Sequence, residues 1–289
     1  MKAVRVAIWN REVPHGGFMP TDCRIESLEK LLGGKGDSPL LVVLPPLSCR
    51  LSLSDHATPQ LNRLVQLLAP WGELARHLGV NLIPGSFLIR HRETLAAEET
   101  QLHLAPFIDN QGQLKGFSTQ THLSPQERDG GWQAGKELPL VDTSFGRVAI
   151  LLNRDCWQPE AWRLTTLAGA ELVVSLTMVP KPYTEARQLA GSWQNVQQNQ
   201  VLGVECSFEG RWQGKSFQGR NAYLVPCEMT PGFAGFVKGE EQGDWLINEL
   251  SFEPLHQVRE EYPLLEQLNL FMYEQRLLPL YRRWQEEKL

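Results

Sequence analysis

The chain has 289 residues, and its 28 Lys and Arg against 33 Asp and Glu leave a net charge of -5. That mild acidity, with no block of Lys and Arg, argues against a dedicated nucleic-acid surface. No apolar run approaches the roughly 18–20 residues that span a bilayer, and residues 1–10 lack the apolar core and cleavage site of a signal peptide, so a cytoplasmic protein is expected.

Residues 4–9 alternate and are β-branched, an opening strand. Ile25, Leu28, Leu31 and Leu32 mark one face of a helix that stops at Gly33-Gly34. Residues 40–44 (Leu-Leu-Val-Val-Leu) form a second buried strand, cut off by Pro45-Pro46. A helix over about 59–78 follows, with Leu61, Leu64, Leu67, Leu68 and Leu74 at helical spacing, then a strand over 80–88 carrying Pro84-Gly85. Residues 102–108 and a short strand around Phe117 flank the turn Asp109-Asn110-Gln111-Gly112 and read as a hairpin. The section 122–137 is polar and loop-like.

The stretch 147–163 organises the rest. An apolar run (148–152) breaks sharply into Asn153-Arg154-Asp155, and a helix starts at Pro159-Glu160 and runs through Leu167. A buried strand feeding such a tight turn holds one side chain out at the carboxyl end of a sheet, where α/β proteins place their chemistry. The side chain held out is that of Asn153, a poor nucleophile. Beyond it come a strand at 172–176, a Gln- and Asn-rich helix at 185–200, a strand at 201–208 and a Gly-rich section of strands and turns at 214–250. An amphipathic helical tail occupies 264–289, with Leu264, Leu265, Leu268, Phe271, Met272 and Leu277 on its apolar face. This rhythm, repeated twice, predicts mixed sheets with helices outside, built as a single domain over 1–289 from two similar halves.

The five cysteines (Cys23, Cys49, Cys156, Cys206 and Cys227) are widely spaced, with no Cys-x-x-Cys pair and no Cys/His cluster at metal-ligand spacing. They read as reduced, packed thiols, and neither metal nor cofactor is expected.

Several short motifs recur in a telling order. They are Leu-Val-Val-Leu-Pro-Pro ending at Pro46, Gly85-Ser86, the Asp109–Gly112 turn, and Gln120-Thr121-His122-Leu123 with Glu127 beyond it. Asn153-Arg154-Asp155-Cys156-Trp157-Gln158-Pro159-Glu160, Gly169-Ala170-Glu171-Leu172 and Phe217-x-Gly219 with Asn221 and Pro226 follow. Together they resemble the nitrilase (carbon–nitrogen hydrolase) superfamily over nearly the whole chain. The resemblance implies a four-layer α-β-β-α sandwich of two mixed sheets. It also implies a homodimer or higher homo-oligomer, packed through the helices after the central strand and after 172–176, with the tail reaching across.

Active members of that superfamily use a Glu general base, a Lys and a Cys nucleophile. Those positions fall on Pro46, Gln120 and Asn153. A thiolate supported by a base and a nearby positive charge is what the reaction needs. Pro46 accepts no proton, Gln120 brings no charge, and the amide nitrogen lone pair of Asn153 is delocalised. The expectation is therefore a member inactive as an amide or nitrile hydrolase, whose pocket, lined by Gln120, Glu127 and Asn153, binds a small polar molecule or serves a scaffold. Arg154 reads either as a surface charge or as a carboxylate clamp.

The alternative is a C–N hydrolase with relocated chemistry, using Cys156, or Glu127 with a bound water. A third reading is a structural subunit that pairs with an active paralogue. His122 is expected to be a hydrogen-bonded scaffold residue, and Asp155 and Glu160 to hold the turn and cap the helix. Trp157, Trp162 and Trp193 are expected at packing or subunit-contact surfaces.

Overall fold

The computed structural model describes residues 2–21, 28, 38–49, 63–91 and 100–287. In chain order come β1 (Ala3–Trp9), β2 (Leu40–Val43), helix α1 (Leu64–Leu78), β3 (Asn81–Ile83), β4 (Phe87–His91), β5 (Thr100–Ile108) and β6 (Leu114–Thr119). After the short helix α2 (Pro125–Asp129) follow β7 (Leu140–Asp142), β8 (Arg147–Leu152), a 3-10 turn (Asn153–Trp157), α3 (Pro159–Leu167) and β9 (Leu172–Thr177). Helices α4 (Glu185–Gln188) and α5 (Gln194–Asn199) lead into β10 (Leu202–Ser207). The remainder is β11 (Gly210–Trp212), β12 (Lys215–Phe217), β13 (Ala222–Leu224), β14 (Phe236–Val237), β15 (Glu240–Gln242), β16 (Trp245–Ser251), α6 (Glu253–Glu261), α7 (Leu270–Met272) and α8 (Leu278–Glu286).

Two mixed sheets result. The larger has the order β15-β16-β1-β2-β3-β5-β4, with β6 pairing β5; the smaller runs β14-β13-β10-β9-β8-β7. Each has three parallel strands at its centre, β1-β2-β3 and β10-β9-β8, flanked by antiparallel pairs. The near-continuous apolar runs of these central strands follow from burial on both faces. Val4, Val6, Ile8, Leu41 and Val43 of one sheet meet Val148, Ile150, Leu152, Val174 and Val204 of the other in a shared core. The alternate residues turn outward. Ala7, Val42 and Leu44 pack on Leu64, Leu68, Trp71 and Ala75 of α1, while Ala149, Leu151 and Val173 pack on Ala161, Trp162 and Val196 of α3 and α5. The period-2 alternation of the strands thus builds four layers, helix-sheet-sheet-helix.

The structure departs from the sequence reading at several places, each for a local reason. The strand expected over 80–88 splits into β3 and β4 at Pro84-Gly85-Ser86. Gly85 has a φ of 87°, and a Cβ there would lie 2.2 Å from the carbonyl oxygen of Pro45. The loop-like section 122–137 contains α2, whose start is a full capping box: Ser124 Oγ accepts from Glu127 N, and the Glu127 carboxylate accepts from Ser124 N. Strand β7 was not anticipated at all.

The helix expected over 185–200 is broken at Gly191 (φ -93°, ψ -115°). A Cβ at Gly191 would sit 2.9 Å from Nε1 of Trp157, and that same indole donates to the carbonyl of Arg187 at 3.0 Å. The tail is helical as expected from Leu270 to Glu286, with a π turn at Tyr273–Leu277 in its middle, and it starts where Asn269 Oδ1 accepts from Met272 N, after a separate 3-10 turn at Leu264–Gln267. Apart from Leu28, which is helical and buried, the helix expected to end at Gly33-Gly34, the first residues of the helix over 59–78, and Cys23 lie outside the described residues. No helix among the described residues is long and apolar enough to cross a membrane.

Candidate functional site

The carboxyl ends of β2, β8 and β9 open into a cleft of ≈ 560 Å³, a size suited to a small organic ligand. Its floor includes Leu47, Asn153, Met178 and Val179; α2 brings Glu127 to one side, and the β11-β12 hairpin brings Trp212 and Lys215 to another. Loop residues after the parallel strands of an α/β sheet are free to vary without disturbing the sheet, which is why sites collect there.

Asn153 occupies the position the sequence singled out. Strand β8 is buried from Val148 to Leu152, and the chain then reverses with Asn153 at a φ of 46°, a left-handed conformation that Asn tolerates better than most residues. Asp155 fastens the turn. Its carboxylate, fully buried, accepts from the backbone N–H groups of Thr121 (2.9 Å) and His122 (2.8 Å), from the Thr121 hydroxyl (2.8 Å) and from His122 Nδ1 (2.9 Å). Asp155 and His122 therefore have the scaffold roles their residue types suggested. Glu160, in the first turn of α3, accepts a short hydrogen bond from the Tyr281 hydroxyl of α8.

A directed chain of hydrogen bonds underlies the cleft. Leu47 N–H donates to Ser86 Oγ at 2.8 Å, and Ser86 Oγ lies 2.7 Å from His103 Nε2. His103 Nδ1 lies 2.8 Å from Gln120 Oε1. Gln120 Nε2 donates to the His122 carbonyl at 2.8 Å and to Glu127 Oε2 at 3.3 Å. Glu127 Oε2 also accepts from Ser124 N at 2.7 Å, and Glu127 Oε1 accepts from Asn153 Nδ2 at 3.0 Å.

Every polarity in this chain is determined. The two partners of Gln120 Nε2 can only accept, so Oε1 faces the imidazole and His103 Nδ1 must carry the proton. Burial lowers the pKa of His103, with Gln120 opposing that shift, so the ring is neutral and its Nε2 accepts from the Ser86 hydroxyl. The Ser86–His103 pair has the spacing of a nucleophile and its base, but Ser86 is wholly buried and cannot meet a substrate.

The residues proposed from sequence are distributed as follows. Glu127, Asn153 and Arg154 line the cleft. Gln120, expected at the ligand surface, is buried one layer beneath, between His103 and Glu127; its amide is consumed in the hydrogen-bond chain. Pro46 is buried in the turn after β2, and its neighbour Leu47, at a φ of 53°, reaches the cleft.

Cys156 does not fit the part of a displaced nucleophile. Its side chain is fully buried, with Sγ 3.5 Å from the carbonyl of Leu151 and 3.9 Å from that of Leu176. Burial raises its thiol well above the ordinary value, and the charges of Asp155 and Glu205 add to this. Cys49 is likewise pushed up by burial. Trp157 and Trp193 pack against the helix-side core of the smaller sheet as expected, and Trp157 also borders the cleft; Trp162 is core, its Nε1 donating to the Cys156 carbonyl at 3.1 Å. Asn221 ties the two sheets together at this end. Its Oδ1 accepts from Ser207 N at 2.8 Å, and its Nδ2 donates to the Trp9 carbonyl at 2.7 Å.

Among the lining residues that the sequence did not point to are His103, Trp132, Arg187, Trp212 and Lys215. Among the described residues, the charged lining is Arg154, Arg187 and Lys215 with Glu127. Trp132 and Trp212 meet edge to face with centroids 6.5 Å apart, and Trp132 also meets the His103 ring at 5.6 Å. Among the described residues, no group of three or more His, Cys, Asp or Glu is placed to hold a metal ion.

Comparison with known proteins agrees with this architecture. The family pattern described as carbon-nitrogen hydrolase matches residues 38–201. A probable nitrilase of Schizosaccharomyces pombe (strain 972) is 33% identical over 79 residues, which are 27% of this chain and 29% of that protein, so the chain matches less than a third of that relative's length. Among solved structures, a carbon-nitrogen hydrolase from Helicobacter pylori G27 superposes with a TM-score of 0.72 at 17% identity, over 95% of this chain and 98% of that one. A branch 10 member of the nitrilase superfamily from Saccharomyces cerevisiae gives 0.70 at 17% identity, over 92% and 96%. An amidase double mutant from Nesterenkonia sp. AN1, solved with acrylamide, gives 0.67 at 16% identity, over 93% and 98%.

Proposed function

Because the chain belongs to the carbon-nitrogen hydrolase family, we propose that it retains the family's cleft as a binding site for a small polar ligand and performs no hydrolysis there. The observation that carries this reading is the Asn153–Glu127 contact: the side chain held out by the turn is a carboxamide that donates to the carboxylate at 3.0 Å. Attack on an amide or nitrile carbon needs a nucleophile whose lone pair is free, a base to take its proton, and a positive charge or donor pair for the developing anion. Asn153 has no such lone pair. Gln120 is neutral and buried, and Cys156 is sealed off. Glu127 has both oxygens engaged by Asn153, Gln120 and Ser124.

Assembly belongs to the same reading. Leu164 and Leu167 on α3, and Phe271, Leu280 and Trp284 in the tail, are exposed apolar side chains, joined at the Glu160–Tyr281 hydrogen bond. Such a surface suits a homodimer formed through α3 and the tail. Light scattering on the purified chain reads this directly, and a monomer at micromolar concentration removes it.

The functional reading is tested by incubating the purified protein with a panel of primary amides and nitriles and measuring ammonia. No release above a heat-inactivated control is expected. Turnover by the unmodified protein overturns the reading, whether or not it survives Cys156→Ala.

A further inference from the structure

We infer that the ligand of this cleft is an organic acid with an aromatic or flat apolar body, its carboxylate held by Arg154 and Lys215. The inference rests on the non-hydrolytic binding role proposed above and adds the chemical class of the ligand.

The charge balance of the cleft is the first argument. Among the described residues, Arg154, Arg187 and Lys215 line it against the one carboxylate of Glu127, on a chain whose net charge is -5. Cations collected in a cleft with low-dielectric walls focus their field inward and favour an anion over a neutral analogue. Glu127 offsets only one of these three charges, so the described lining stays net positive, and its two oxygens are already occupied by N–H donors from Asn153, Gln120 and Ser124.

The second argument is which cations are free. Arg187 donates to the Pro180 carbonyl at 3.3 Å. Arg154 and Lys215 have no hydrogen-bond or ion-pair partner among the described residues, although both border the same cavity. Arg154 follows the turn residue Asn153, and Lys215 opens β12, so the two come from different elements. A planar guanidinium fork and a mobile ammonium together suit a carboxylate.

The third argument is the rest of the wall. Trp132, Trp157, Trp212 and Phe217 line the cavity. Trp157 is pinned by its bond to the Arg187 carbonyl at 3.0 Å, and Trp132 is braced edge to face by His103 and Trp212. Fixed indole faces take flat apolar groups at low entropic cost. A small hydrophilic acid would leave these faces unused, and a neutral apolar ligand would leave two cations unpaired.

The test uses benzoate, 3-phenylpropanoate and 2-naphthoate, each beside its primary amide, titrated into the full chain at low salt by calorimetry and tryptophan fluorescence. At least one acid is expected to bind about tenfold tighter than its amide, an advantage typical of one charge-assisted contact, and this advantage should shrink as salt rises. Arg154→Gln and Lys215→Gln should each bring the acid's affinity toward that of the amide without changing Tm, because neither side chain holds another part of the fold. Equal binding of acid and amide overturns the inference. So does an acid preference that survives the double variant, or a lack of binding by all three acids. Release of ammonia from the amides would instead sink the non-hydrolytic reading, so the two failures are told apart.

Discussion

Asn153 and Glu127 are joined across the cleft by a hydrogen bond of 3.0 Å from the carboxamide Nδ2 to the carboxylate Oε1. One comes from the turn after β8 and the other from the first turn of α2. The bond therefore links the smaller sheet to a segment that follows the larger one. It ends a chain of donors and acceptors that begins at Leu47 N–H and passes through Ser86, His103 and Gln120.

Glu127→Gln should weaken the fold more than a surface substitution does. The carboxylate accepts from Ser124 N, Gln120 Nε2 and Asn153 Nδ2, and a carboxamide would turn its own N–H groups toward at least one of those donors. The expected loss is about 1–3 kcal/mol, read as a lower urea midpoint with an unchanged slope and a Tm a few degrees lower. An unchanged midpoint would mean that these contacts do not hold α2 in place.

Asn153→Cys alone should not create a hydrolase. The new thiol would lie beside the Glu127 carboxylate, whose charge opposes thiolate formation, and Gln120 beneath it supplies no positive charge. The variant should react with iodoacetamide, since position 153 lines the cleft, yet release no ammonia from amides. Measurable turnover by this variant would show that the remaining site still supports acyl transfer.

Stability should fall as pH rises through neutrality, because of Glu205. This carboxyl is fully buried, and burial raises its pKa from 4.5 to about 7, while Gln188 and Thr177 oppose the shift. A group with a raised folded pKa binds more protons folded than unfolded. Its contribution is therefore complete below about pH 4.5 and is lost as pH rises through about 7. Burial lowers the pKa of His103, and it works the other way: its contribution is present above its ordinary pKa and lost in acid. Above the ordinary imidazole value of 6.5 only the Glu205 contribution still changes, so urea unfolding from pH 6.5 to 8 should show a decline on the order of 1 kcal/mol, largely removed by Glu205→Gln. A flat profile in the unmodified protein would contradict the assignment.

Thiol labelling under native conditions should leave Cys156 and Cys206 untouched. Both are fully buried, and burial pushes both thiols well above the ordinary range. Cys227 is partly exposed and should react first among the described cysteines. Rapid native modification of Cys156, mapped by mass spectrometry, would reopen it as a reactive centre.

Much of the architecture could be read along the chain because it is written in local periodicity. The apolar run before Asn153, the break at Asp155 and the start at Pro159-Glu160 locate a strand, a turn and a helix without knowledge of any other element, and the structure has all three. Local signals also existed where they were passed over. Ser124-Pro125-Gln126-Glu127 is a capping-box sequence, and it starts α2 inside a section expected to be loop. The break at Gly191 was different in kind, because it depends on an indole from a distant element occupying the space a Cβ would need.

The sequence by itself determined the alternation of buried strands and amphipathic helices, the turn that presents residue 153 and the identity of the side chain presented there, because hydrophobic alternation and chain breaks are properties of neighbouring residues; the two-sheet layering came from the family resemblance. Tertiary structure alone decided who meets that side chain. His103 in β5 reads as one more residue of a buried strand until Ser86 and Gln120 are seen on either side of its ring, and Lys215 reads as a hairpin charge until it borders the same cavity as Arg154. Those meetings join residues far apart in the chain, and no periodicity carries that information; long-range packing of the two sheets does.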